Sequence, residues 1–157
     1  MRSSLSRLVC AAAVILFAPW AGAQGNSWNK LRYLGGTVPA RVNAFDWNTT
    51  VTIKPDSILL VFAPRVTLRL QPSQVTSLSY GPVAQRRVAD VAASSLVANP
   101  PALFGLLRGS KEHWIGTVYQ TDDGKTGAVL LESQARQDWI IVQVLKAVTG
   151  KPIETSP

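Results

Sequence analysis

Cysteine is all but missing from this chain of 157 residues: Cys10 is the only one, and it stands at the start of an apolar run near the N-terminus. Once that run is removed, the remaining chain holds no thiol, which excludes disulfides, thiolate catalysis and cysteine-ligated metal. Histidine is nearly as scarce. His113 is the sole one, so a multi-histidine zinc site cannot be assembled. No apolar stretch reaches the roughly 18 to 20 residues needed to cross a bilayer. Acidic residues are also in deficit, 9 against 16 basic ones, leaving a net charge of +7. There is no G-x-S-x-G elbow, and Ser110-Lys111 are adjacent, the wrong spacing for a serine nucleophile and its lysine. No cofactor motif appears. The reading is of a protein that is not an enzyme.

The N-terminus has a clear address. Arg2 and Arg7 precede the apolar run Leu8 to Trp20, which closes on Ala21-Gly22-Ala23. That is the charged, apolar and small-residue pattern of a secretory signal peptide, with cleavage expected after Ala23. Cys10 lies at the wrong end of the run for lipidation. The chain is therefore expected to be exported, periplasmic or secreted, with no transmembrane span after processing. Residues 24–157 suffice for one domain with its own apolar core. Arg2 and Arg7 leave with the signal, and the remainder stays basic, which favours anionic neighbours. Its cations, among them Lys30, Arg41, Arg65, Arg69 and Lys111, are spread singly or in pairs. Nucleic acid is not the expected partner, because its footprint is a clustered basic patch.

Residues 24–30 read as a disordered leader and residues 151–157 as a disordered tail. Between them, strands are expected at Leu31 to Val38, Asn48 to Ile53, Ile58 to Phe62, Val66 to Leu70 and Val75 to Tyr80, from period-two alternation bounded by turn residues. Gly35-Gly36 suggests a bulge in the first strand. His113 to Gln120 and Thr126 to Leu131 flank Asp122-Asp123-Gly124, an Asp-Gly hairpin signal. The two aspartates are turn chemistry rather than calcium ligands. Asn48-Thr49-Thr50, formally a glycosylation acceptor, reads as a turn into a strand. A period of 3.6 follows: Ser133 as cap, then Ala135, Trp139, Val142, Leu145 and Val148 on one stripe, stopped by Gly150 and Pro152.

This order, together with Val75 to Gly81, Lys111 to Ile115, Asp122 to Lys125 and Val148 to Lys151, resembles bacterial proteins that carry a pleckstrin-homology-like domain behind a signal peptide. The resemblance covers roughly residues 30 to 151, and the domain is expected at 31–150. It implies a mainly β fold with a C-terminal α-helix: a seven-stranded barrel of two orthogonal antiparallel sheets, one open end plugged by the helix. No functional residue carries over, since that superfold hosts lipid binders, peptide binders and scaffolds. Lys30-Leu31-Arg32 and Arg41 match the phosphoinositide-binding pattern poorly.

The long connection from Pro82 to Ser110 is the informative departure from a compact barrel. Ala84, Val88, Val91 and Ala92 recur at helical spacing over Val83 to Val97, beside Arg86 and Arg87. After Asn99-Pro100-Pro101, Leu103, Phe104, Leu106 and Leu107 form an apolar stretch bracketed by Arg108 and Lys111. In this excursion, Leu103, Phe104, Leu106 and Leu107 either form a lid over the exposed end or edge of the barrel or, with Arg86, Arg87, Arg108 and Lys111, make the candidate contact for an anionic lipid surface or a partner protein. An alternative is a carrier holding a small apolar ligand between helix and barrel, in a pocket lined by Trp114, Trp139 or Phe62.

Overall fold

The computed structural model of the chain describes residues 26–42, 45–63, 65–95, 113–134 and 137–155. The expected signal peptide, 1–23, and the apolar stretch 102–107 lie outside them. The elements run β1 (Asn26–Gly36), β2 (Thr49–Ile53), β3 (Ile58–Phe62), β4 (Val66–Leu70), a 3-10 turn at Pro72–Gln74, and β5 (Val75–Tyr80). Then come α1 (Pro82–Ser94), β6 (Trp114–Gln120), β7 (Thr126–Ser133), α2 (Asp138–Thr149) and β8 (Ile153–Thr155).

The described strands make one mixed sheet in the order β4-β3-β2-β1-β7-β6-β5-β8. β8 runs parallel to β5 and every other pairing is antiparallel. The sheet is not closed: β4 and β8 are its edges. The helical excursion between the fifth and sixth strands is present, but the expected seven strands are eight, and the two orthogonal antiparallel sheets are one mixed sheet. The cause lies in β1. Its first half pairs with β2 and its second with β7, and Leu31 faces Thr49 on one side and Ser133 on the other. A strand starting at Leu31 would have been too short for both. The ladder instead begins at Asn26, inside the expected disordered leader.

Two irregularities bend β1. Its register with β2 slips between Trp28 and Leu31, where Lys30 takes a φ of 62°, and its register with β7 slips between Tyr33 and Gly35. The second is the bulge that Gly35-Gly36 suggested. A β-carbon on Gly36 would meet the backbone of Ala128 and Val129, so the strands approach there as only glycine permits.

The helix after β7 is likewise not C-terminal. Gly150 ends α2 in the left-handed region, φ 69°, and Pro152 keeps the chain from resuming it. The expected disordered tail then supplies β8, with Ile153 packed on the core and Glu154 bonded to Arg87 and Ser77. Three residues are too few to show a period, which is why the pattern missed them.

β6 and β7 are covered on both faces. Ile115, Tyr119, Val129 and Leu131 join the larger core with Ile141, Val142 and Leu145 of α2. Their alternate neighbours Trp114, Val118, Ala128 and Leu130 pack with Ala84, Val88 and Ala92 of α1. Successive strand side chains point to opposite faces, so the two helices lie on opposite sides of this part of the sheet.

Candidate functional site

α1 begins where Gly81 takes a φ of 70° and Pro82 occupies the first helical position. The Gly81 amide donates to Trp114 O at 2.9 Å, holding the helix start against β6. With Ala84, Val88 and Ala92 turned to the sheet, Arg86 and Arg87 fall on the exposed side. Arg87 is already engaged: Nε and Nη2 reach Glu154 Oε2 at 2.8 and 2.7 Å, tying α1 to β8. An ion pair this open to water contributes at most about 1 kcal/mol. Leu103, Phe104, Leu106, Leu107, Arg108 and Lys111 lie outside the described residues, so of the candidate contact set only Arg86 and Arg87 are placed.

The polar cluster that the sequence did not announce is Tyr80, His113 and Asp138. The Tyr80 hydroxyl donates to Asp138 Oδ2, and His113 Nδ1 lies 3.1 Å from the same oxygen. Asp138 is 1% exposed, and its Oδ1 has no hydrogen-bond partner. A buried carboxylate is costly, and two features offset that: its hydrogen bonds, and its place in the first turn of α2, where the unpaired N–H groups favour negative charge. The cluster joins the end of β5, the start of β6 and the start of α2. His113 thus meets a partner 25 positions away. No local pattern links residues at such separations. The one legible sign was an acid opening an otherwise apolar helix.

The other polar features resolve into local structure. Thr121 Oγ1 donates to Asp123, Lys125 Nζ pairs with Asp123 Oδ2 at 2.7 Å, and Gly124 turns with a φ of 79°. Hydrogen bonding to Lys125 and then to Thr121 holds the Asp123 carboxyl down at about 2. Asp122 accepts from Gln74 Nε2 at 2.8 Å. These are the turn contacts expected of an Asp-Gly hairpin, and among the described residues no three histidine or carboxylate groups gather to hold a metal. Ser27 and Lys30 have the Ser-x-x-Lys spacing, but they lie on a strand rather than on one helix face, and Ser27 Oγ shares a hydrogen bond with Thr52 Oγ1 at 3.0 Å.

Between α2 and the sheet the space is about 10 Å³, lined by Val51, Ile58, Leu70, Thr117, Val129 and Leu145 among others. One water would fill it. A ligand site of the usual kind needs about 300 Å³ or more. Nor do the proposed lining residues converge there: Trp114 faces α1, and Trp139 is exposed. A larger depression of about 510 Å³ between Asp56, Arg69, Gln74 and Asp122 is open and polar.

No family model matches this chain. No curated protein matches it either. Among solved structures it resembles the Spt16D Pob3N heterodimer, with a TM-score of 0.47 and 8% identity over 85% of this chain and 55% of that one. The chain therefore spans little more than half of its neighbour's length, and a likeness this distant carries no argument about either protein's role in the other.

Proposed function

We propose that the chain is a non-enzymatic, exported binding or scaffold module that meets an anionic membrane surface or a partner protein through residues 84–111. The observation that carries this reading is the mounting of α1. Three small or β-branched side chains hold it on the sheet, so Arg86 and Arg87 face solvent, with Asp90 exposed between them and Arg87 paired to Glu154. The excursion leaves α1 at Ser95, which lines the same groove as Tyr119 and Thr121 at the far end of β6, and it rejoins the sheet at His113. Export is supported by the N-terminal pattern of residues 1–23. The family reading is a pleckstrin-homology-like domain with an added eighth strand, supported by seven strands in a meander-like order followed by a helix over one face.

Four apolar side chains in a basic setting suffice for a measurable contact, at about 0.8 kcal/mol per buried CH₂ and about 1 kcal/mol per nearby cation. The test is co-sedimentation of the processed protein with anionic vesicles, beside its Leu103→Asp/Phe104→Asp variant. The variant is expected to lose binding. Undiminished vesicle binding in a folded variant would remove the membrane form of the proposal.

A further inference from the structure

α2 is apolar nearly all the way round. Its buried side carries Ile141, Val142 and Leu145 with the locked Asp138. Its four exposed positions are Trp139, Ile140, Lys146 and Ala147. At 100° per residue these fall, with Gln143, on one continuous arc. The arc holds one cation and no acid. A helix apolar on every side is ordinarily enclosed, whereas here Trp139 is 47% and Ile140 55% exposed. Single exposed hydrophobics are normal on a protein surface; two consecutive ones in a fixed turn are less so. The turn is held firmly, because Asp138 is tied to Tyr80 and His113, and the Trp139 ring sits edge-on to Tyr80 at 5.3 Å.

We infer that the outer face of α2 is a second contact surface, and that it lies flat on an anionic lipid surface. Size and charge decide the occupant. Twelve residues make a helix about 18 Å long, so the exposed arc offers on the order of 200 Å², far under the roughly 800 Å² per partner that a stable protein interface or dimer needs. A lipid surface has no such minimum: a tryptophan seated at headgroup level, an aliphatic side chain below it and a lysine above is the pattern of interfacial helices. The basic excess that remains once Arg2 and Arg7 leave with residues 1–23, together with the acid-free arc, suits anionic headgroups. This goes beyond the excursion-based reading and is separable from it, since α1 and Arg86 lie on the opposite side of the sheet.

The experiment titrates the processed protein with vesicles of phosphatidylglycerol and phosphatidylcholine, or of phosphatidylcholine alone. Wild type is compared with Trp139→Ser/Ile140→Ser, Lys146→Gln and Leu103→Asp/Phe104→Asp, each checked for an unchanged thermal melt. The α2 double variant is expected to bind anionic vesicles at least roughly tenfold more weakly, and Lys146→Gln about fivefold. Brominated lipid is expected to quench the wild type more than Trp139→Phe, which retains Trp28, Trp47 and Trp114. Equal binding by wild type and the α2 double variant overturns the inference, whatever the Leu103→Asp/Phe104→Asp variant does. So does a concentration-dependent dimer that the α2 substitutions abolish, which would make a second copy the occupant. Loss on the α2 substitutions with full binding by Leu103→Asp/Phe104→Asp upholds this inference and defeats the membrane form of the excursion reading.

Discussion

A methyl group at position 116 has nowhere to go. It would press on the Ser79 hydroxyl and come within 3.0 Å of the Ala84 Cα of α1. Gly116→Ala is expected to cost about 1–3 kcal/mol in urea unfolding, the usual cost of overpacking. Asp138 is as constrained for a polar reason. Asp138→Ala removes the acceptor shared by Tyr80 and His113 and is expected to cost about 2–3 kcal/mol, the range for a hydrogen-bonded charge. Tyr33 sets an alkaline limit. Burial first, and the neighbouring Tyr119 second, push its phenol well above the ordinary range, and its hydroxyl donates to Val38 O at 3.1 Å. The folded state therefore keeps a proton that the unfolded chain releases near pH 10. Stability from this group is full below that pH and falls as pH rises above it. Tyrosinate absorbance should thus rise together with unfolding. Tyr33→Phe should move the alkaline midpoint upward while costing about 1 kcal/mol at neutral pH for the orphaned Val38 carbonyl.

β8 is three residues long yet joins distant parts, pairing Ile153, Glu154 and Thr155 with Leu78, Ser79 and Tyr80. Truncation after Gly150 is expected to cost about 1–3 kcal/mol, from a few ladder hydrogen bonds and the Ile153 contact, and to speed amide exchange in β5 while leaving β2 and β3 protected. Glu154→Gln, which removes only the half-exposed pair with Arg87, should cost less than about 1 kcal/mol. That contrast separates the ladder from the ion pair. Elements with a regular period were legible. Val51 and Ile53 are buried and Thr50 and Thr52 are partly open, as alternation implied. In α2 the stripe was half right: Val142 and Leu145 face the core, but Ile141 takes the place assigned to Trp139. The helix starts at Asp138 rather than just after Ser133, which stays in β7, and that offset re-aims its first turn.

For the molecule as a whole, the sheet serves two helices, one on each side of β6 and β7. That explains why all of Trp114 to Tyr119 is buried although only alternate residues face either helix. A strand enclosed on both sides reads as an apolar run, and its sequence does not say which side a given residue serves. The candidate contact surfaces follow from this layering: α1 presents its cations on one side, and α2 its tryptophan and isoleucine on the other.

Turn chemistry and periodicity act over a few neighbouring residues, so the chain's own local order was enough to place β2 to β7, the hairpin at Asp122 to Lys125, the bulge at Gly35-Gly36 and the helical stretch inside the long connection. The double pairing of β1, the docking of β8, the outward turn of Trp139 and the meeting of Tyr80, His113 and Asp138 arise from contacts between segments tens of residues apart. Their energies depend on how packed faces fit together, and no short window of residues carries that information.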